Sequence, residues 1–270
     1  MVISLQKESI LSNENNAPQD PADVPKMLTL APGFCVRQAI DNIAWIDMGE
    51  YAVVIDTLEQ AELEEEIFAA IQKTIGNKPV RYVINTHTHY DHVALNDAFR
   101  RRYAAEVVNA QTKCVPPEGL RYDGTKRSIQ ILSMPGCHTE EDLVVWVEPE
   151  RALFVGDIFG WGLIPLIVNL RRETADTLVN TYTRLIKLAP DVIIPGHGPL
   201  CTTTELKRWL AYFSRLQADV AAACKAGRDN DDILRSIAPP EDMKTWWRFL
   251  KWKHQDCIAK VLKAVRKGWL

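Results

Sequence analysis

RYVINTHTHYDH, residues 81–92, joins a short apolar run to three histidines and an aspartate. The run Arg81–Asn85 is typical of a buried strand, because aromatic and β-branched residues occupy its centre. Side chains alternate along an extended segment, so His87 and His89 are expected to point the same way. Two neutral imidazoles side by side suit a borderline metal ion such as Zn²⁺. The stretch therefore predicts a strand that ends in a metal site.

Asp91 and His92 extend this site if the chain turns into a helix directly after the strand, because both side chains can then reach a second ion nearby. Further candidate ligands lie beside glycines at the ends of three predicted strands. These are His138 after Ser128–Ser133, Asp157 after Ala152–Val155 and His197 after Asp191–Ile194. Glycine lets the backbone turn sharply and approach an ion closely. The sixth histidine, His254, stands outside this pattern and is expected to be a surface or packing residue.

The chain has 270 residues, enough for one large domain or two small ones with a sizeable core. Its net charge of −3 gives no general attraction for nucleic acid or anionic membranes, so no nucleic-acid partner is expected. No stretch approaches the roughly 18 to 20 apolar residues of a membrane span, and the first residues lack the pattern of a secretory signal. The six cysteines are scattered without a CxxC pair, which argues against a disulfide framework. These features predict a cytoplasmic protein without a transmembrane segment.

Apolar runs and helical periodicities alternate along the chain and predict a layered α/β protein. Strands are expected at Phe34–Arg37, Ile43–Asp47, Tyr51–Ile55, Arg81–Asn85, Glu106–Asn109, Ser128–Ser133, Leu143–Val147, Ala152–Val155 and Asp191–Ile194. Helices are expected at Asp56–Ile75 and Thr174–Leu188, and from Thr202 onwards with breaks near Gly227 and Pro239-Pro240. Residues 1–26 are expected to form a flexible lead-in, because residues 8–26 are polar and rich in Pro, Asn and Asp.

The order of the motifs, HxHxDH, a lone His, Gly-Asp and Gly-His, resembles the metallo-β-lactamase superfamily from about Phe34 to Cys201. The resemblance implies an α/β fold, an αββα sandwich with the metal site at one edge of two facing sheets. It implies a sandwich core at residues 27–201 and a helical C-terminal extension at 202–270 packed on the same domain. It also implies two divalent ions that share seven ligands: His87, His89 and His138 for one ion, Asp91, His92 and His197 for the other, and Asp157 as the bridge.

The resemblance narrows to the branch that contains glyoxalase II, lactonases and thioesterases. Class B β-lactamases lack the bridging aspartate that stands here as Asp157, and flavodiiron oxygen reductases carry a glutamate where this chain has His89. A nuclease of this superfamily is expected to be more basic. One departure weighs against a plain glyoxalase II. Many members continue the first motif as DHxGGN, whereas this chain has Ala94 and Leu95 in place of the glycines and keeps Asn96.

These ligands imply a dinuclear hydrolase that cleaves an acyl bond, a thioester, ester or lactone, in a small-molecule substrate. A water shared by two cations about 3.5 to 4 Å apart has its pKa lowered to roughly 7, and the resulting hydroxide would attack the acyl carbonyl. Asp91 is the candidate catalytic base, which would accept the proton and pass it to the leaving group. Zn²⁺ is the favoured metal, and Fe²⁺ or Mn²⁺ also fits these ligands. The alternatives are a mononuclear iron oxygenase that resembles persulfide dioxygenases and a binding protein without activity.

Three aromatic residues are candidate substrate contacts: Tyr90 inside the first motif, and Phe159 and Trp161 in the apolar stretch 158–165. That stretch predicts a hydrophobic pocket wall and hence a partly apolar substrate, with packing on the core as the alternative. For Tyr90 we favour packing beneath the metal loop. The basic aromatic segment Lys244–His254 could lie on a membrane surface, cover the mouth of the site or form a homodimer contact. Simple packing of a last amphipathic helix is the commonest outcome for such a segment.

Overall fold

The computed structural model describes residues 21 and 23–270, so most of the predicted lead-in at residues 1–26 lies outside the described residues. From Lys26 onwards the chain builds two mixed β-sheets. The first sheet consists of β1 (Lys26–Ala31), β2 (Phe34–Gln38), β3 (Ile43–Asp47), β4 (Ala52–Ile55), β5 (Val80–Ile84) and β6 (Glu106–Val108). Its strands lie side by side in chain order, antiparallel from β1 to β4 and parallel from β4 to β6.

The second sheet reverses the chain order of its strands. It consists of β7 (Leu120–Asp123), β8 (Ser128–Ser133), β9 (Leu143–Glu148), β10 (Ala152–Gly156) and β11 (Val192–Pro195). The spatial order is β11-β10-β9-β8-β7, with β10 and β11 parallel and the other neighbours antiparallel. Both sheets therefore contain parallel pairs, β4–β5–β6 in one and β10–β11 in the other.

The two sheets face each other across a common apolar layer. Side chains such as Phe34 and Val53 of the first sheet pack there against Val145 and Phe154 of the second. The rings of Phe34 and Phe154 stack with centroids 6.1 Å apart. Alternate side chains of the same strands, such as Trp45, are also buried, but on the outer face. Strands that are buried on both faces give the continuous apolar runs seen in the sequence.

Helices cover the outer faces of both sheets. The first sheet is covered by α1 (Glu64–Ile75) and α2 (Asn96–Tyr103). The second sheet is covered by α3 (Arg172–Lys187), α4 (Thr203–Lys225), α5 (Asn230–Ser236) and α6 (His254–Arg266). The layers thus run helix, sheet, sheet, helix, which confirms the predicted αββα sandwich with a helical C-terminal region.

All nine predicted strands form, and the structure adds β1 and β7 at the outer edges of the sheets. The predicted helix Asp56–Ile75 is wrong in its first part, because α1 begins only at Glu64 after a short 3₁₀ turn. Asp56 and Leu58 have φ values of 54° and 60°, which a right-handed helix does not contain. This irregular stretch turns the Asp56 carboxylate towards the histidine cluster described below.

The C-terminal helices begin at a well-formed cap. The Thr202 hydroxyl accepts a hydrogen bond from the Thr204 backbone N–H at 3.1 Å, and the Glu205 carboxylate accepts one from the Thr202 N–H at 2.8 Å. This capping box explains why the helical region starts directly after β11 and its loop. All six cysteines are free, as their spacing predicted. Among the described residues, no helix combines the length and the apolarity needed to cross a membrane.

Candidate metal centre

The seven predicted ligands meet at one edge of the sandwich, where loops from both sheets converge. Four of them lie in the loop after β5, which forms a 3₁₀ turn at Tyr90–His92 before α2 begins. The other three lie in the second sheet's loops, His138 between β8 and β9, Asp157 directly after β10 and His197 after β11. A backbone bridge between Asp41 and His197 joins the turn after β2 to the loop after β11. The site therefore spans the boundary between the two sheets.

The side chains form three overlapping groups that could each hold an ion. Within each group the possible ligand atoms all lie within 4.8 Å of one another. The groups are His87, His89 and His138; His87, His92 and Asp157; and Asp91, His92 and His197. The first and last groups correspond to the two sets expected for two ions. Asp157 lies between them, with Oδ1 3.5 Å from His92 Nε2 and Oδ2 3.7 Å from His138 Nε2.

Three buried atoms in this cluster test whether the residues fit a metal. Nε2 of His87, Nε2 of His92 and Oδ1 of Asp157 are buried and have no hydrogen-bond partner among the described residues. The rings of His87 and His92 are only 4.2 Å apart between centroids. A buried polar atom without a partner costs about 1–3 kcal/mol, so such atoms are rarely left unpaired in proteins. A cation among them would satisfy all three, and the donor set fits a divalent metal.

Asp56 supports His92 from behind, on the side away from the cluster. Its Oδ2 lies 3.0 Å from His92 Nδ1 and accepts the hydroxyl hydrogen of Thr86 at 2.9 Å. Its Oδ1 accepts the Thr86 backbone N–H at 2.8 Å. This carboxylate fixes the ring so that Nε2 faces the other ligands, which is the usual second-layer arrangement of metal-binding histidines. The sequence analysis missed Asp56, although it directly follows the apolar strand β4 at the edge where β5 also ends.

The two histidines in the loops of the second sheet, His138 and His197, are also fixed through Nδ1. His197 Nδ1 lies 3.1 Å from Asp41 Oδ1 and 3.0 Å from the Ile40 carbonyl oxygen. His138 Nδ1 donates to the Pro165 carbonyl oxygen at 2.7 Å. In both rings Nε2 is thereby left to face the centre. Asp41 is a second supporting carboxylate that sequence analysis missed, because it comes near the site only through the contact between the two sheets.

The loop that carries His138 is held by a buried carboxylate. Asp142 accepts the backbone N–H of His138 at 2.7 Å and that of Thr139 at 2.9 Å. The neighbouring Cys137 is fully buried, and burial raises the pKa of its thiol to about 12. Cys137 is therefore a packing residue with an unreactive thiol, as predicted. Asp142 positions the metal loop through its backbone.

The histidine rings of the cluster differ strongly in their pKa. Burial, together with the charge of His92, lowers the pKa of His87 to about 2, so this ring is neutral and free to bind a metal. At His92, burial opposes protonation, but the carboxylates of Asp56 and Asp157 outweigh it and raise the pKa to about 10. At His197, burial likewise opposes protonation, and the Asp157 carboxylate raises the pKa well above its usual range. A cation that binds these two rings must displace their protons.

Two glycines in the loop after β11 allow neighbouring side chains to lie directly against its backbone. A Cβ atom at Gly196 would lie 2.0 Å from Asp157 Oδ1 and 2.7 Å from His92 Cε1. Gly198 has φ +76°, and a Cβ atom there would lie 2.6 Å from the indole of Trp247. The first glycine is therefore required by the ligand cluster, and the second by a segment near the C-terminus.

A cavity of about 410 Å³ opens over this cluster. Asp91, Asp157, His138 and His197 lie at its base. Its remaining lining comes from Ile40, Asp41, Glu59, Tyr90, Gly160, Leu163, Trp247, Arg248, Trp252 and Lys253. The last four belong to the basic aromatic segment Lys244–His254, which includes a π-helical turn at Phe249–Lys253. Of the predicted roles for that segment, this position agrees with a cover over the mouth of the site.

Two predictions for aromatic side chains are corrected by the structure. Tyr90 is not packed beneath the metal loop: its side chain is 69% exposed and lines the cavity. Phe159 and Trp161 do not line the cavity, because they are 1% and 9% exposed within the core. Trp161 is fixed there by a hydrogen bond from its indole N–H to the Pro199 carbonyl at 3.0 Å. Phe159 and Trp161 therefore do not form the cavity wall that was predicted from this stretch, of which Gly160 and Leu163 line the cavity.

His254 lies away from the metal cluster, as predicted. Its ring is 4% exposed, with Nδ1 2.9 Å from the Tyr212 hydroxyl and Nε2 3.0 Å from the Ile237 carbonyl oxygen. Both nitrogens thus have partners within the helical layer. His254 is a packing residue.

Comparison with known proteins agrees with this architecture. The sequence profile of the Metallo-beta-lactamase superfamily matches residues 40–136, which include the first motif. A hydroxyacylglutathione hydrolase of Rhizobium meliloti (strain 1021) is 25% identical over 122 residues, 42% of this chain and 46% of that protein. A beta-lactamase-like protein 2 homolog of Caenorhabditis elegans is 25% identical over 198 residues, 66% of this chain and 62% of that protein. The matches thus span about half to three fifths of these relatives.

Solved structures share the fold at low sequence identity. A metallo-beta-lactamase from Pontibacter korlensis superposes with a TM-score of 0.57 at 19% identity, over 69% of this chain and 97% of that one. The inverting sec-alkylsulfatase Pisa1 from Pseudomonas sp. gives a TM-score of 0.65 at 14% identity, over 91% of this chain and 50% of that one. With the motif order, the donor clusters and the αββα layers, these findings show that the chain has the fold of the metallo-β-lactamase superfamily and is similar in sequence to its members.

Proposed function

We propose that this protein is a dinuclear metal-dependent hydrolase that cleaves an acyl bond, a thioester, ester or lactone, in a small and partly apolar substrate. The observation that carries the proposal is a cluster with buried ligand atoms that lack a hydrogen-bond partner, whose members Asp91, His138, Asp157 and His197 line a 410 Å³ cavity. The name of the Rhizobium relative describes hydrolysis of an acylglutathione, which supports an acyl bond as the target.

We propose two divalent ions, with Zn²⁺ favoured and Fe²⁺ or Mn²⁺ as alternatives. His87, His89 and His138 would hold one ion, Asp91, His92 and His197 the other, and Asp157 would contact both. The completeness of the second group, whose ligand atoms lie within 4.8 Å of one another, supports two ions over one. When bound, the cations supply a Lewis acid for the acyl carbonyl and ionise water near neutral pH.

Asp91 is the proposed proton carrier. It lines the cavity, and its Oδ2 lies 3.3 Å from His197 Nε2. Burial acts to raise the pKa of this carboxyl, but the hydrogen bond from His197 and the nearby His92 outweigh it and lower the pKa. The carboxylate is therefore ionised at neutral pH and can accept a proton from the attacking water. It can then deliver that proton to the leaving group.

The apolar part of the substrate is assigned to the upper walls of the cavity. Ile40, Tyr90 and Trp252 line it with 37%, 69% and 44% of their side-chain surface exposed. Exposed apolar surface beside a polar base is typical of ligand sites, because it gains from covering by a ligand. These residues replace Phe159 and Trp161 as the proposed substrate contacts.

We further propose that residues 27–201 form the metal-binding core and that residues 202–270 belong to the same domain. The packing of α4 against α3 and α6 supports this division, as does the shared apolar cluster of these helices with the second sheet.

Metal analysis combined with a substrate panel tests the proposed function. Protein produced with Zn²⁺, Fe²⁺ or Mn²⁺ is expected to hold two ions per chain and to hydrolyse at least one class among acyl thioesters, lactones and aryl esters. His89→Ala should lose most metal and activity, whereas the matched His254→Ala should keep its metal content. One iron per chain with oxygen uptake would favour the oxygenase alternative, and full turnover by His89→Ala with unchanged metal would refute the ligand assignment.

A further inference from the structure

The segment Trp247–Lys253 brings two cationic side chains to the wall of the cavity above the metal cluster. We propose that Arg248 binds an anionic group of the substrate, a carboxylate or phosphate, so that the enzyme prefers acyl compounds that carry a negative charge. This inference rests on the proposed function and names the class of substrate for the same site.

Arg248 has a backbone conformation that its local sequence does not favour. Its φ of 54° lies in the left-handed region, where a residue other than glycine costs free energy. Such conformations persist where surrounding contacts require them, and they are concentrated at functional sites. Here the turn directs the side chain of Arg248 to the cavity wall instead of continuing the helical course of the next residues.

The guanidinium of Arg248 is held on one side and unpaired on the other. One terminal nitrogen donates to Asp23 Oδ2 at 2.7 Å, and the guanidinium carbon lies 4.8 Å from the centroid of the Trp247 indole. Nε of Arg248 is buried and has no hydrogen-bond acceptor among the described residues. An arginine offers donors in a planar fork that matches carboxylate and phosphate oxygens. The side chain is 22% exposed where it lines the cavity, so the part of the fork that Asp23 does not hold can meet an anionic ligand there.

Asp23 and Gly198 keep this arrangement in place before any ligand binds. The second oxygen of Asp23 accepts the indole N–H of Trp247 at 2.8 Å, so one carboxylate holds two adjacent side chains. The same indole lies directly on Gly198, the residue after the candidate ligand His197. Contacts that are fixed in advance reduce the entropy lost on binding. Arg248 is thus positioned relative to the metal cluster through Trp247.

The charges around the cavity favour an anion on this wall. The ammonium group of Lys253 lies 4.1 Å from the centroid of the Trp247 indole, on the same segment, and donates to the Trp247 carbonyl oxygen. Four acidic residues also line the cavity: Asp41, Glu59, Asp91 and Asp157. Three of them, all except Glu59, already contact histidines of the cluster. On this wall Lys253 adds a positive charge beside Arg248, whose own charge is partly offset by Asp23, while most of the acidic lining residues are engaged with histidines.

A pair of matched esters tests the proposal on metal-loaded protein. The 4-nitrophenyl esters of hexanoic acid and of adipic acid have the same acyl chain, but the adipic monoester ends in a carboxylate. We expect kcat/KM to be about 10-fold or more higher for the adipic monoester. Arg248→Gln should remove this preference, a loss of about 10-fold or more, which is the effect of losing a hydrogen bond to a charged group. Arg215→Gln, an exposed arginine of α4 that pairs with Asp219, is the control and should leave the preference unchanged.

A binding measurement separates this inference from the proposed hydrolase. Hexananilide and adipic monoanilide, titrated calorimetrically into the protein, should differ in affinity in the same direction, and Arg248→Gln should abolish the difference. If Arg248→Gln does not fold, Arg248→Lys takes its place, and it should weaken the preference because it lacks the planar fork. Equal kcat/KM for both esters, or a preference that survives in the variant, would overturn the role of Arg248. Failure to hydrolyse either ester, with charge-dependent anilide binding intact, would instead count against the hydrolase.

Discussion

The ligand loops and the segment Lys244–His254 meet at one cavity, but the chain builds them in different ways. The ligands lie in short loops at the ends of buried strands, where the backbone is set by two hydrogen-bonded sheets. The C-terminal segment has an irregular backbone, with a left-handed residue at Arg248 and a π-helical turn after it. Its position depends on side-chain contacts such as that of Trp247 with Gly198. Regular secondary structure thus fixes the positions of the candidate ligands, whereas side-chain packing fixes the position of the cavity wall.

Asp157→Asn should produce the largest effect, because it removes the carboxylate shared by both proposed ions while keeping the size of the side chain. Loss of a ligand is expected to exceed the roughly 10- to 100-fold cost of losing a supporting group. Metal content by elemental analysis and kcat/KM should both fall sharply. Asp191→Asn is the matched control, since Asp191 is an exposed strand-end aspartate that pairs with Arg151. Equal metal content in the two variants would contradict the assignment.

Asp56→Asn should weaken metal binding by about 10- to 100-fold without abolishing it, because Asp56 orients His92 and does not belong to the ligand set. Competition with a chromogenic chelator measures the change in affinity. The fold should be retained, since the amide can still accept the Thr86 N–H. An affinity equal to that of the unaltered protein would show that the position of the His92 ring does not depend on this carboxylate.

Gly198→Ala should affect the C-terminal segment more than the ligand cluster. The new Cβ atom would lie 2.6 Å from the Trp247 indole, which must move. We expect the free energy of unfolding to fall by about 1–3 kcal/mol and KM to rise. Gly227→Ala is the matched control, because Gly227 has the same φ of +76° and no atom within 4 Å of the added Cβ. The difference between the two variants in chemical denaturation isolates the clash, and no difference would show that Trp247 is not held there.

Trp252→Ala should produce the smallest effect. The side chain is 44% exposed, so the free energy of unfolding should change by no more than about 0.5 kcal/mol. KM for an apolar ester should rise several-fold, since the variant loses one apolar wall, while kcat stays close to its original value. Steady-state kinetics with acetyl and hexanoyl esters checks this, and an equal effect on both chain lengths would argue against an apolar contact.

Much of the fold and the clustering of the candidate ligands could be predicted because both follow local patterns. Strands buried on both faces give continuous apolar runs, and each candidate ligand falls within a few residues of such a run. Edge strands β1 and β7 were missed because their side chains are exposed or only partly buried, so their sequences contain no clear apolar run. The supporting carboxylate Asp56 could have been predicted in the same way, because the parallel strands β4 and β5 end at the same edge of the sheet.

The cavity wall could not be predicted in this way. Phe159 and Trp161 follow Asp157 closely in sequence, yet a tight turn at Gly160 and Gly162 sends both rings into the core. Trp247 and Arg248 are far from the candidate ligands along the chain. Trp247 packs on Gly198, and a glycine gives no side-chain pattern from which this contact could be predicted. Nearness to Asp157 in sequence therefore pointed to Phe159 and Trp161, which do not line the cavity. Trp247, which does line it, can be identified only from the tertiary structure.

The origin of the ligands in both sheets has a mechanical consequence. His87 and Asp157 belong to different layers, and their relative position depends on how one layer is aligned on the other. A small slip between the layers would separate these donors while every strand kept its own hydrogen bonds. Metal binding is therefore expected to respond to layer alignment more sensitively than secondary-structure content does, and a variant with weakened inter-sheet packing should bind metal less well while its circular dichroism spectrum stays the same.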